Sequence, residues 1–186
     1  MNTSAAGARF SPDRAYRFAL WRSWGTGPWL MVIGLNPSTA DETRDDPTIR
    51  RCIGYARLWR FGGVLVTNLF AFRATDPRDL LRADLPLGEG NLATIRAHAR
   101  CVSEDGGAIL AAWGAHGRHR GGSNALTSML EGDGIGVACL GRTGRGEPKH
   151  PLYLPKAAMP EPYVLDGGRL CGKQRGPRCR VPRASA

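Results

Sequence analysis

The chain has 186 residues, 42% of them hydrophobic, with 26 Lys and Arg against 16 Asp and Glu, a formal net charge of +10. That length suits one domain with a full core. No apolar run approaches the ~18 residues that cross a bilayer, and the start MNTSAAGARFSPDR lacks a secretion-signal pattern, so no membrane partner and a cytoplasmic location are expected.

The charge excess favours polyanionic partners such as nucleic acid, by counterion release. Six of the basic residues, however, lie in the acid-free tail from Gly167 onward. Residues 1–13 read as a flexible N-terminal end, 14–166 as a single domain, and 167–186 as a basic, disordered tail that either solubilises or acts as a nonspecific nucleic-acid arm. The five cysteines, Cys52, Cys101, Cys139, Cys171 and Cys179, are an odd number with no C-x-x-C pair. Reduced thiols are expected rather than a disulfide framework, a zinc site or an iron–sulfur cluster.

In chain order, RAYRFALWRSW (14–24) alternates Tyr16, Phe18 and Leu20 with arginines and an alanine, which predicts an edge strand with one wet face. WLMVIGL (29–35) is apolar on both faces, as in a central parallel strand covered by helices. PTIRRCIGYARLWRFG (47–62) spaces Ile49, Cys52, Ile53, Ala56 and Trp59 by three and four, which predicts an amphipathic helix entered through Asp46 as N-cap and Pro47 in the first turn.

GGVLVTNLF (62–70) is a second buried strand whose apolar run breaks at Asn68. TDPRDLLRADLPLGEG (75–90) is turn-rich with at most a short helical piece. NLATIRAHARCVSEDGG (91–107) reads as a helix ended by glycines, AILAAWG (108–114) as a third strand, 123–134 as a helix and IGVACLG (135–141) as a fourth strand, before a long loop. Alternating strands and helices imply right-handed crossovers, and so a three-layer α/β/α sandwich around a central four-stranded parallel sheet.

In such sheets ligands bind at the carboxyl ends of the strands, near the reversal of strand order. The candidates are therefore Asn36 to Thr39, Asn68 to Arg73, Trp113 to His116, and Arg142 to His150. Asn36-Pro37-Ser38 either punctuates the strand exit or floors a site. Asn68 offers an amide to a planar heterocycle, Phe70 and Phe72 are core or stack on a base, and Arg73 is placed to meet a phosphate. His150, held beside Pro151, carries a titratable ring able to donate to a developing anion. His116 and His119 read as exposed. Asp41, Glu42, Asp45 and Asp46 could hold a divalent metal through hard oxygen ligands, but their crowding against Pro47 argues for capping and solvation. No G-x-S-x-G elbow, Walker loop or dinucleotide fingerprint is present.

Taken together the four strand ends resemble the uracil-DNA glycosylase superfamily. GLNPS is similar to its first motif, VLVTNLFAFR to its second strand with a base-reading asparagine, AILAAWGAHG to its third strand end, and HPLY to its late His-Pro-Ser motif. NPSTAD, NLFAFR and HPLYLP also resemble a bacterial family of uncharacterised domains. The glycosylase resemblance implies a glycosylase-like hydrolase acting on a flipped base in nucleic acid, DNA rather than RNA, with no cofactor and no metal.

Asn36 would position water and His150 would stabilise the leaving base. Gly34, Pro37, Ser38, Asn68, Phe70 and Trp113 would surround the base. Leu152 or Leu154 would wedge into the stack, with Arg73, Arg142 and Arg145 on phosphates. The departures are Leu152 where that motif has serine, and the acidic stretch after GLNPS. Two rival expectations stand beside this one: a non-catalytic nucleic-acid binding module, and a metal-dependent nucleotide or phosphoester hydrolase built on residues 41–46.

Overall fold

A computed structural model describes residues 5–163, so the expected basic tail and two of the cysteines, Cys171 and Cys179, lie outside the described residues. Seven strands form one mixed sheet in the order β1-β2-β4-β3-β5-β6-β7. They are β1 (Ala6–Phe10), β2 (Arg17–Ser23), β3 (Trp29–Gly34), β4 (Gly63–Asn68), β5 (Ala108–Ala111), β6 (Val137–Cys139) and β7 (Glu161–Pro162). The helices are α1 (Pro47–Leu58), α2 (Pro77–Arg82), α3 (Asn91–Glu104) and α4 (Gly122–Gly132).

The four expected parallel strands are the inner ones, β4-β3-β5-β6, and their pairings are parallel. The sheet nevertheless exceeds a four-stranded parallel one, because β1, β2 and β7 extend it antiparallel at both edges. Residues Ala6–Phe10, expected in a flexible N-terminal end, pair with β2 as the true edge strand. With β1 outside it, β2 is an interior strand. Its supposedly wet arginines are instead buried, Arg17 at 2% and Arg22 at 8% exposure.

Alternate residues of β3 feed opposite sides of the sheet, as the period of two requires. Met31 and Ile33 pack with Ile95 and Ala99 of α3 and Leu126 and Leu130 of α4. Leu30 and Val32 pack with Ile49, Cys52, Tyr55 and Ala56 of α1. Helices thus cover both faces of the parallel strands, which is why those strands read as unbroken apolar runs. Asp46 caps α1 as anticipated, accepting from the Ile49 N–H at 2.8 Å with Pro47 following. Tyr55 takes part in the buried face of that helix, stacked at 5.1 Å on Trp59.

Chain direction sets the functional end. From β3 the chain crosses to β4 on one side, and β5 then returns to the other side of β3. Strand order therefore reverses at β3, and a crevice must open beyond its carboxyl end, where the flanking connections diverge.

Phe70, a candidate base-stacking residue, is fully buried in the core on the α3/α4 side with its ring edge-on to His119. Phe70→Ala is expected to lower unfolding free energy by about 3–5 kcal/mol, as large aromatic truncations in packed cores do. Urea denaturation of the variant checks this.

Candidate functional site

A cavity of about 340 Å³ lies at the reversal point and is lined from all four parallel strand ends or their following loops. That volume is within the range of small-molecule sites. Gly34, Asn36 and Ser38 come from the β3 exit, Asn68 from β4, Trp113 and His116 from the β5 exit, and His150 from the loop after β6. Asn36, Asn68 and His150, named from separate motifs, thus face one space.

Each polar group is held by its surroundings. The Asn36 amide nitrogen donates to the carbonyls of Ala74 at 2.7 Å and Pro37 at 3.1 Å. Both its hydrogens are spent on backbone, so what Asn36 has left to offer is the acceptor oxygen Oδ1. Asn68 is 4% exposed, and its Oδ1 accepts from the Arg17 guanidinium at 3.2 Å. The backbone at the β4 exit is pinned by Asn91, the first residue of α3, whose amide donates to the carbonyls of Asn68 and Leu69. Gly34 has a local reason to be glycine: a Cβ there would stand 2.6 Å from the Asn68 amide nitrogen.

His150 begins the turn Pro151–Tyr153, and its Nδ1 accepts from the Leu152 N–H at 3.4 Å. That bond assigns the proton of the neutral ring to Nε2, leaving it a donor. Burial pushes the imidazole pKa down from its ordinary value, against the opposing pull of the Asp46 carboxylate. Gly114, at φ +72°, turns the β5 exit toward this loop, and its N–H reaches the Pro148 carbonyl at 2.9 Å. At the rim Tyr153 is 84% exposed with its ring 5.6 Å from that of His150.

Two lining groups were read in the sequence for other reasons. Asp46 is the helix cap, yet it is also the one carboxylate among the lining residues. Arg17, expected on a wet face, lines the cavity; its charge is desolvated enough to bring its pKa to about 10. Cys52 also lines the cavity, where burial raises its thiol to about 12 and keeps it unreactive at neutral pH.

Trp113 is set by Glu147, a fully buried carboxylate that sequence reading missed. Glu147 Oε2 accepts from the indole N–H at 2.6 Å and Oε1 from Arg118 Nε at 2.7 Å. The only hint in the sequence is a lone acid between arginines and lysine in GRGEPKH.

Other candidates stand elsewhere. Pro37 is buried and contributes through its carbonyl, not as a lining side chain. Arg73 packs over the Phe10 ring and donates to the Arg14 carbonyl. Arg142 lies over Tyr163 and donates to the Pro162 carbonyl. Arg145 is exposed, and its carbonyl accepts from Arg118. Leu152 lines a neighbouring cleft with Tyr55 and Leu58, and Leu154 packs into the α1-side core.

The acidic stretch has assignable roles. Asp41 caps its own turn through the Thr43 and Arg44 N–H groups, Glu42 pairs with Arg14 at 2.8 Å, and Asp45 pairs with Arg22 at 2.9 Å. Among the described residues no group of three or more His, Cys, Asp or Glu is arranged to hold a metal ion. Those bonds give Asp41, Glu42 and Asp45 structural roles in the loop.

Among the described residues no helix is long and apolar enough to cross a membrane. The model of a protein family described as "Protein of unknown function (DUF1643)" matches residues 17–152, and the chain belongs to that family. No curated protein and no solved structure matches the chain.

Two measurements follow from this geometry. Glu147→Gln removes the charge that Trp113 and Arg118 share, and should cost about 1–3 kcal/mol of stability in urea titration through the unsatisfied buried groups. The depressed His150 pKa also has a sign. The unfolded chain protonates first, near pH 6.5, so stability should fall as pH drops below that value toward the folded pKa. A His150→Gln variant should show a shallower decline between pH 7 and 5, and the His150 ring should titrate below 6.5 by NMR.

Proposed function

We propose that this member of the DUF1643 family binds a nucleobase flipped out of nucleic acid, DNA more readily than RNA, and hydrolyses its N-glycosidic bond. The single observation carrying the reading is the convergence of Asn36, Asn68 and His150 on one base-sized cavity at the point of strand reversal. Four inner parallel strands with helices on both faces support the resemblance to uracil-DNA glycosylases at the level of architecture.

The chemistry uses groups with complementary hydrogen-bonding capacity. Water must add its oxygen to the sugar C1′ while the bond from C1′ to the base nitrogen breaks and its electron pair leaves with the base. Asn36 Oδ1, fixed by two backbone bonds to its own amide nitrogen, accepts from and so orients that water. Asp46 is the lining carboxylate available to take its proton. His150, neutral with the hydrogen on Nε2, and the Asn68 amide supply donors to the negative charge on the departing base. The proton is finally returned to the base nitrogen. Basic side chains, Arg50 and Arg51 on α1 and Lys156 just after the Pro151–Tyr153 turn, lie around the adjacent cleft and suit a phosphate backbone.

Oligonucleotides carrying uracil, hypoxanthine, thymine mismatches or alkylated bases, incubated with the protein and then treated with alkali, test the reading directly. Strand cleavage is expected with at least one lesion. Asn36→Ala and His150→Ala should each lower its rate by about 10²–10⁴-fold, the range for loss of a positioned acid–base or electrostatic group. Cleavage no greater than that of the two variants on every lesion would end the enzymatic reading, and salt-dependent binding without base release would leave a binding module in its place.

A further inference from the structure

We propose that the cleft beside the cavity is a second base site, floored by Gly54 of α1, which receives the base of the neighbouring nucleotide unstacked from its strand. The inference rests on the reading of the cavity as a nucleobase pocket and adds to it a subsite on α1, so that two successive nucleotides are held at once.

The cleft has a volume of about 420 Å³ and lies along α1. The turn Pro151–Tyr153 stands between it and the cavity: Tyr153 lines the cavity, and Leu152, one residue earlier, lines the cleft. The helix divides in the same way. Ile49 and Cys52 line the cavity, while Gly54 and Leu58 line the cleft. The two spaces are thus neighbours on one helix and one turn, a relation that suits consecutive units of one strand.

Gly54 is the residue that points to an occupant. It stands in the interior of α1, where glycine is less stable than alanine because it loses more backbone freedom on folding. Its φ is not positive, and a Cβ placed on it would meet nothing within 4 Å. Neither backbone conformation nor packing among the described residues calls for glycine there. What the missing side chain leaves is a flat, exposed patch of helix on the floor of the cleft. Leu58, 49% exposed, and Leu152 add aliphatic walls. A phosphate gains nothing from such a surface, whereas the flat face of a base does.

Charge selects the kind of apolar body that fits. Arg51 and Lys156 stand at the cleft, and among the described residues neither is paired with a carboxylate. No carboxylate is among the described residues lining the cleft. An apolar floor beside unpaired cations complements an apolar group that carries negative charge, and a nucleotide supplies both in its base and its phosphate. The Tyr55 hydroxyl donates to the Pro155 carbonyl at 2.8 Å and so holds the segment bearing Lys156 against α1. The cleft is therefore shaped before a ligand arrives.

Fluorescence anisotropy with two short single strands tests this: an oligothymidylate, and a strand of equal length in which abasic tetrahydrofuran residues replace every thymidine but one. The first is expected to bind about tenfold tighter or more, the effect of one well-packed base. Gly54→Leu, which fills the floor, should bring that ratio within about twofold of unity. Lys156→Gln should weaken both strands alike and keep the ratio, as loss of a phosphate contact does. Gly54→Ala should raise Tm by about 2–4 °C and yet lower the ratio about threefold, so that stability and binding move in opposite directions. A lowered Tm in Gly54→Ala would show that the fold itself needs the glycine and would remove the ground of the inference. A wild-type ratio near unity, or one that Gly54→Leu leaves intact while circular dichroism shows it folded, overturns the second site and leaves the base in the cavity to the lesion assay. Where Gly54→Leu does not fold, Gly54→Ala decides by the same ratio. Binding of neither strand at millimolar concentration removes the nucleic-acid reading and this inference with it. A peptide of alternating acidic and aliphatic residues whose binding Gly54→Leu abolishes, with the strand ratio unmoved, assigns the cleft to a protein partner and overturns the nucleotide.

Discussion

Two arginines on an interior strand must be kept from losing their hydration without compensation, and much of the site follows from how that is done. Arg17 and Arg22 are both buried on β2, which β1 pairs along its outer edge with a register shift between Arg9 and Phe10. Burying an unpaired guanidinium is costly by several kcal/mol, so the chain leaving β3 is wrapped over them. Arg22 holds the Asp41 carbonyl at 2.8 Å and the Asp45 carboxylate at 2.9 Å, while Arg17 holds the Ala40 carbonyl and Asn68. Residues 40–45 are thereby drawn across the sheet end, and Asp46 arrives where it can cap α1 and face the cavity at once. The acid-rich loop is thus a clamp around buried cations, with one carboxylate left to line the site.

The opposite wall depends on an inverse arrangement, a buried anion served by donors. Glu147 gathers the Trp113 indole and Arg118, and its own N–H is held by the Thr143 hydroxyl at 3.2 Å. One carboxylate therefore ties the β5 exit to the loop after β6, the two segments that carry Trp113 and His150. Charge-assisted bonds are about twice as strong as neutral ones, which suits a join between loops that share no strand pairing. Gly117 completes the join, since any side chain there would run into the Trp113 ring and Glu147.

The parallel core was legible because its signal is local. Apolar runs such as WLMVIGL and three-and-four spacing in α1 state burial on two faces and on one face respectively, and Asp46-Pro47 marks a helix start through capping chemistry alone. What was not legible depended on distant partners. Nothing within RFALWRS says that its arginines are covered, since that fact belongs to β1 and to a loop 19 to 23 residues later. Glu147 likewise looks like a solvated acid until Trp113 and Arg118 are brought to it. Asn36 and Asn68 stand out because each interrupts an apolar pattern at a strand end, and His150 because it is a titratable ring held beside Pro151 in the loop after β6. Of the alternatives for Phe70 the core is the one observed, because the chain turns back into it immediately after β4, and Arg73 packs over the Phe10 ring instead of lining the cavity.

The two asparagines show how backbone and side-chain commitments divide labour within one cavity. Free asparagine is indifferent, two donors and an acceptor that exchange places by a half-turn about χ2. In Asn36 the donor end is consumed by Pro37 and Ala74, so the residue acts as an acceptor. In Asn68 the acceptor end is consumed by Arg17, so the residue acts as a donor. The same side chain therefore supplies opposite polarities at adjacent strand ends, fixed before any ligand arrives. A ligand entering the cavity would meet an acceptor and a donor whose orientations are already fixed. Such preorganisation is the main means by which a small, water-excluding site can favour one charge distribution over another, and here it depends on bonds that the ligand never touches.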